Sequence, residues 1–126
     1  MKTILVVEDN RIIALDIGRA LKKLGYNVTI TTSSGEHATE YAKILHPDLV
    51  LMDIILRGKL DGMEAARLIW SGLHTPSLFI TAQTDEQTLQ QAERTPGAVG
   101  LLRKPFTTAQ LTAAVEKAIA GIKNAG

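Results

Sequence analysis

Glu8-Asp9, Asp53, Thr81 and Lys104 are the residues of this chain whose types and spacing could do chemistry together. Each comes at or just past the end of a short apolar run: Ile4 to Val7, Asp48 to Met52, Pro76 to Ile80 and Ala98 to Leu102. Carboxylates crowded into one place repel one another unless a cation neutralises them. Oxygen-only ligands suit a hard ion that keeps several waters, Mg²⁺ first. A hydroxyl and an ammonium aimed at the same place can bind phosphoryl oxygens. A divalent ion together with Lys104 would stabilise the charge of an in-line phosphoryl transfer. One carboxylate could then act as the nucleophile and form an acyl phosphate.

Taken singly, each of these residues has a plain structural reading. An Asp just past a strand is commonly a turn or helix-cap residue. Glu8-Asp9 could serve the first helix, Thr81 could be a loop hydroxyl bonded to backbone, and Lys104 could be a surface lysine. Their joint occurrence at four strand ends is what carries the functional reading, because sites of open parallel sheets lie outside the carboxyl ends of the strands. The groups converge if strands 1, 3, 4 and 5 lie side by side.

The elements that must position them alternate along the chain. Ile4 to Val7 reads as a strand buried on both faces. Asn10 caps a helix with Ile13, Ile17, Ala20, Leu21 and Leu24 at helical spacing, ended by Gly25. Val28 to Thr31 is a second strand. Ser33 with Glu36 forms a capping box for a helix that Pro47 stops. Asp61 and Glu64 repeat that logic before a helix through Trp70. Thr84 and Gln87 open a nearly all-polar helix through Glu93, with only Leu89 and Ala92 on its apolar face, so it should be the least firmly docked. Thr107 and Gln110 open the last helix, and the tail from Lys123 reads as frayed. Strand then helix, five times over, means an α/β fold with a parallel sheet covered on both faces.

Composition limits the alternatives. The chain has 126 residues, one domain's worth, with 45% hydrophobic and 21% charged residues, which argues against disorder. Lys and Arg number 14 against 13 Asp and Glu, a net charge of +1, so bulk attraction to nucleic acid or anionic membrane is not the expected activity. There is no cysteine, which removes thiol chemistry and disulfides. His37, His46 and His74 do not have metal-ligand spacing, and Trp70 reads as packing. The first apolar run stops at Glu8, too short for a signal peptide, so a cytoplasmic protein is expected.

The chain resembles the receiver domain of two-component response regulators over essentially its whole length. The matching segments are Ile4-Leu5-Val6-Val7-Glu8-Asp9-Asn10, Pro47 through Asp53, Asp61-Gly62, Phe79-Ile80-Thr81-Ala82 and Lys104-Pro105-Phe106. The resemblance implies a doubly wound, five-stranded (βα)5 flavodoxin-like fold with strand order 2-1-3-4-5. It implies that Asp53 accepts a phosphoryl group from a sensor histidine kinase or phosphotransfer protein. Glu8, Asp9, Asp53 and the backbone carbonyl of Ile55 would hold Mg²⁺, for which Mn²⁺ could substitute. Thr81 would hydrogen-bond the phosphoryl group, Lys104 would pair with it, and the Lys104–Pro105 bond would be cis. The chemistry would be Mg²⁺-dependent self-phosphorylation and self-dephosphorylation, not turnover of a separate substrate. Phosphorylation would draw Thr81 inward and shift the surface of helix 4, strand 5 and helix 5.

Leu101, the loop after Asp53, and the pair Ile55 and Gln83 set this chain apart from the usual pattern. Leu101 stands where receivers commonly carry Tyr or Phe, so the usual rotating ring is missing and the signal is expected to pass through helix 4 and the loop before it. Arg57 stands where many receivers have proline, and Asp61 follows Asp53 by eight residues, giving a loop one residue longer with two cations, Arg57 and Lys59. These would attract a partner, or the loop is simply solvated. Ile55 and Gln83 occupy the positions that tune hydrolysis of the acyl phosphate. Ile55 cannot orient an attacking water, so slow dephosphorylation is expected unless Gln83 compensates.

Rival readings are weaker. An aspartyl phosphohydrolase would want a second Asp where Ile55 stands, and a flavin carrier would want a hydroxyl-rich loop where Glu8-Asp9 stand. The closer rival is a degenerate receiver acting as a constitutive interaction or dimerisation module, which Leu101 favours. As a receiver without an output domain, the protein would be a monomer or a phosphorylation-linked dimer and would act through a downstream protein.

Overall fold

The computed structural model describes residues 1–31, 34–56, 58 and 60–125. Ten elements alternate: β1 (Thr3–Val7), α1 (Arg11–Lys23), β2 (Asn27–Thr31), α2 (Gly35–Leu45), β3 (Leu49–Asp53), α3 (Gly62–Leu73), β4 (Ser77–Thr81), α4 (Glu86–Arg94), β5 (Ala98–Arg103) and α5 (Thr108–Ala125). The sheet is parallel throughout, in the order β2-β1-β3-β4-β5.

The central strands are apolar through residues 4–7, 49–52 and 78–80 because both of their faces are covered. Ile4, Val6, Leu49, Leu51, Leu78 and Ile80 meet Ile17 and Leu21 of α1 and Leu111 and Val115 of α5 on one side. Leu5, Val7, Val50, Met52 and Phe79 meet Ala38 and Ala42 of α2, Ala65, Ala66 and Ile69 of α3, and Ala92 of α4 on the other. Period-two alternation along each strand divides one apolar run between two cores. Burying each such Leu, Ile or Phe side chain contributes about 1.5–3 kcal/mol.

Most helix starts follow the expected chemistry. The Asn10 side chain accepts hydrogen bonds from the Ile12 and Ile13 amides. Asp61 Oδ1 accepts from the Glu64 amide at 2.8 Å, and Thr107 and Gln110 satisfy each other's amides at 3.1 and 2.9 Å. Four starts or ends differ. α2 is capped by Ser34, whose hydroxyl accepts from the His37 amide, and the expected cap Ser33 lies outside the described residues. α4 is capped by Asp85, which accepts from the Thr88 amide at 2.9 Å, in place of Thr84. A carboxylate complements the positive helix N-terminus better than a neutral hydroxyl. α3 continues past Trp70 to Leu73, where His74 takes the left-handed conformation and caps it, and α5 runs to Ala125, beyond the expected fray at Lys123. Ala and Lys are strong helix formers, which favours the extra turn.

α4 is the thinnest layer. Only Leu89 and Ala92 are buried along it, as its composition implied.

The Asp61-Gly62 pair has a packing reason. Gly62 sits so close to β3 that a Cβ there would lie 1.9 Å from the Asp53 carbonyl oxygen and 2.9 Å from Ile54 Cα. Its amide donates to the Ile54 carbonyl at 2.8 Å, closing the β3–α3 loop on itself. Gly62→Ala must push the backbone of Asp53 aside, and we expect it to cost about 2–4 kcal/mol in urea unfolding. A loss under about 0.5 kcal/mol would mean that the loop yields freely.

Candidate functional site

The strand order brings the carboxyl ends of β1, β3, β4 and β5 together, and with them Glu8, Asp53, Thr81 and Lys104. In register, Asp53 pairs with Ile80, so Thr81 lies one residue past the acidic strand end, and Thr81 itself pairs with Arg103 beside Lys104. The Lys104 amide donates to the Thr81 carbonyl at 2.8 Å, which ties the end of β5 to that of β4. The Lys104–Pro105 peptide bond is cis.

Lys104 bridges the carboxylates. Its ammonium contacts Glu8 Oε1 and donates to Asp53 Oδ2 at 3.2 Å. Glu8 is 1% exposed and Asp53 6%, so this is a buried ion cluster rather than a surface pair. Backbone amides supply the remaining contacts: Asn10 donates to Glu8 Oε2 at 3.0 Å and Ile55 to Asp53 Oδ1 at 3.2 Å. Desolvation, then a hydrogen bond and repulsion from Glu8, push the Asp53 carboxyl up to about 7, against the pull of Lys104. For Lys104, desolvation alone would lower the pKa. The hydrogen bond to Glu8 and the charges of Asp53 and Glu8 outweigh it and hold the ammonium above its ordinary range.

The cluster is short of positive charge. Among the described residues Asp9 Oδ1 is buried without a hydrogen-bond partner, and Glu8 Oε1 meets the Lys104 ammonium. Among the described residues no three acidic or imidazole side chains converge as a finished metal cage. The ammonium of Lys104 bridges Glu8 and Asp53 instead. Buried, under-satisfied carboxylate oxygens are the donor set a hard divalent cation prefers, so the residues fit Mg²⁺.

The other expected positions are placed as follows. Thr81 is fully buried and its hydroxyl accepts from the Gln83 amide at 2.9 Å, which leaves the hydroxyl proton available to another acceptor. Gln83 is half-buried, and the Ile55 side chain is exposed. Leu101 is half-buried, pairs in register with Phe79 and packs on the core beneath α2, α3 and α4. Arg57 and Lys59 lie outside the described residues. His37, His46 and His74 are exposed, and Trp70 packs edge-on against His74 with ring centroids 5.2 Å apart.

The sequence reading missed the role of Glu36. Beyond the capping box read for it, whose partner Ser33 lies outside the described residues, it reaches the β3–α3 loop, where its Oε1 accepts from the Leu60 amide at 2.6 Å. The neighbouring Gly35 and the unusual length of that loop were the available signals.

Comparison with known proteins agrees with this geometry. The response regulator receiver domain model matches residues 4–116. The transcriptional regulatory protein PdtaR of Mycobacterium tuberculosis is 33% identical over 118 residues, 94% of this chain and 57% of that protein. The uncharacterized transcriptional regulatory protein YvcP of Bacillus subtilis is 39% identical over 106 residues, 84% of this chain and 44% of that protein. The chain thus spans about half the length of the curated relatives it matches. The signal receiver domain of a modulated diguanylate cyclase from Desulfovibrio desulfuricans has a TM-score of 0.90 at 37% identity, covering 100% of this chain and 99% of that one. Chemotaxis protein CheY4 of Vibrio cholerae has a TM-score of 0.83 at 25% identity, covering 94% and 98%. With its five parallel strands in the order 2-1-3-4-5 and its acidic cluster at their carboxyl ends, this chain belongs to the response regulator receiver domain family.

Proposed function

We propose that Asp53 accepts a phosphoryl group from a phosphohistidine of a sensor histidine kinase or phosphotransfer protein, and that the phosphorylated form changes its binding to a downstream protein. The observation that carries this is the buried Asp53 carboxyl, held between the Lys104 ammonium and the Ile55 amide and beside Glu8. Receiver domains serve phosphorylation-dependent two-component signalling, which supports the reading.

In the transfer, an Asp53 oxygen attacks phosphorus, the P–N bond of the donor breaks, and the imidazole leaves. Glu8, Asp9, Asp53 and the Ile55 carbonyl would hold Mg²⁺ (Mn²⁺ would accept the same oxygens), which supplies charge neutralisation to the transferring oxygens. Lys104 is already hydrogen-bonded to Asp53, so it needs little movement to pair with a phosphoryl oxygen on that residue. Thr81 can donate its free hydroxyl proton to another such oxygen while still accepting from Gln83. Drawing Thr81 toward the phosphoryl group shifts the end of β4. Leu101, packed beside Phe79, repacks rather than rotates, and the sparsely buried α4 moves with it. The exposed Ile55 side chain offers no polar group to aim water at the acyl phosphate, so the phosphorylated state is long-lived.

The test is incubation with Mg²⁺ and a small phosphodonor, followed by mass spectrometry. The native chain should gain one phosphoryl mass and Asp53→Asn none. After donor removal, decay should be accelerated by Ile55→Asn. No gain in the native chain, or equal gain in Asp53→Asn, would leave the constitutive interaction module as the better reading.

A further inference from the structure

The turn from β1 to α1 consists of Glu8, Asp9 and Asn10, so it presents two groups of the acidic cluster and ends on a helix cap. Asn10 bonds in both directions. Toward the cluster, its amide donates to Glu8 Oε2 at 3.0 Å. Toward the helix, its carbonyl accepts from the Ala14 amide at 2.9 Å. Its side-chain Oδ1 accepts from the Ile12 and Ile13 amides at 3.0 and 3.2 Å.

The backbone of Asn10 is extended, with φ −81° and ψ 113°, the conformation that lets a cap side chain reach back over the first helical turn. With the backbone held there, its amide meets Glu8. No acidic side chain occupies the first turn of α1, so no carboxylate of the helix itself assists the cap. Glu8 is gripped from two directions, by the Asn10 amide at Oε2 and by the Lys104 ammonium at Oε1. Asp9 lies between Glu8 and Asn10, and its buried Oδ1 has no hydrogen-bond partner among the described residues. Its placement therefore follows the backbone of the turn. Any residue but proline would bring an amide to Glu8. What the asparagine side chain adds is the anchor that keeps this amide in place, and a charge-assisted bond to a carboxylate is worth anchoring.

We propose that Asn10 is a positioning residue: by capping α1 it fixes the turn that presents Glu8 and Asp9, and thereby sets the affinity of the acidic cluster for a divalent cation. This rests on the cation-site reading given above. The route is short. The side chain fixes its own backbone, the amide of that backbone fixes Glu8, and Asp9 is bracketed covalently between the two. Asn10 acts through the ligands, as outer partners of metal sites do.

Two measurements test it, each on the full chain. Asn10→Ala removes the cap and keeps the amide, whereas Asn10→Ser restores a capping oxygen. Asp85→Ala removes the cap of α4 and serves as the control for lost stability. In metal-free buffer, the protection of the position-10 amide against hydrogen exchange should fall about tenfold in Asn10→Ala and stay near native in Asn10→Ser and Asp85→Ala. Calorimetric Mg²⁺ titration should show affinity about tenfold weaker in Asn10→Ala, and within about threefold of native in the other two variants. Unchanged protection in Asn10→Ala, or a Ser variant that behaves like Ala, overturns the anchoring role. Equal weakening of Mg²⁺ binding in Asp85→Ala shows an effect of stability alone and overturns the inference. So does lost protection with unchanged Mg²⁺ affinity, because the turn then moves without consequence for the cluster. A native chain that binds no Mg²⁺, while protection responds as expected, overturns the cation-site reading and this inference with it.

Discussion

Asp53→Asn is expected to be more stable than the native chain near neutral pH when divalent cations are removed. The ordinary carboxyl value is 3.8, and in the fold Asp53 is raised to about 7. Between those values the native state holds a proton that the unfolded chain has released. Stability from this group is therefore full below the unfolded value, falls as pH rises through the window, and is gone above the folded value. The slope is at most on the order of 1 kcal/mol per pH unit, since one unit of pKa difference corresponds to about that energy. Asn cannot ionise, so the variant should lose this slope. It also keeps an oxygen to accept the Ile55 amide. Urea unfolding in chelator at pH 5, 6, 7 and 8 measures it directly. Equal slopes in the two proteins would show that Asp53 is charged in the fold throughout the range. With Mg²⁺ added the order should reverse, because only the native chain offers the third carboxylate. Phosphoryl acceptance needs the same charged carboxylate, so the buried, repulsive setting that destabilises the protein in chelator also gives a cation or phosphoryl group something to relieve.

Lys104→Ala should have the larger effect on stability, in the opposite direction. Lys104 is the ammonium that bridges Glu8 and Asp53, its side chain is 16% exposed, and that of Glu8 is 1% exposed. Removing one partner of a buried ion cluster leaves uncompensated charge, which costs about 3–5 kcal/mol. The loss should be greatest at pH 8, where neither carboxylate can be relieved by sharing a proton. Saturating Mg²⁺ should recover part of it, since a divalent ion can neutralise the same oxygens. The measurement is urea unfolding at pH 8 with and without Mg²⁺. A loss under about 1 kcal/mol would show that the pair behaves as a solvent-screened surface contact. Any Mg²⁺ rescue should disappear in the Lys104→Ala, Asp53→Asn double variant, which tests whether the ion acts at this cluster. In the phosphodonor assay, Lys104→Ala should leave Asp53 able to accept a group but without its nearest cation to hold it.

Much of this protein was legible in its sequence. The strand-helix alternation follows from local pattern: short apolar runs rich in β-branched residues read as strands buried on both faces, and Asn10, Asp61 and Thr107 start helices where capping chemistry says they should. The chemistry-bearing residues were also visible, because sites in such folds sit at strand ends and these ends carry Glu8, Asp53, Thr81 and Lys104. What spacing alone could not decide was adjacency. The strand order came from the family resemblance, because pairing across a parallel sheet is set by long-range crossovers and not by neighbours in the chain. Tertiary structure likewise chose among equally plausible local partners. The fold also brings the Leu60 amide within reach of Glu36, and where Thr84 could cap α4, Asp85 holds the better charge. Gly62 reads as a turn residue until β3 is packed against it. Sequence by itself determined which groups are available and on which kind of element they ride, because those depend on residues a few positions apart. Only the folded chain decided that Lys104 lies between Glu8 and Asp53, and that Asp53 is consequently a buried, half-relieved acid, because charge and desolvation depend on everything brought near.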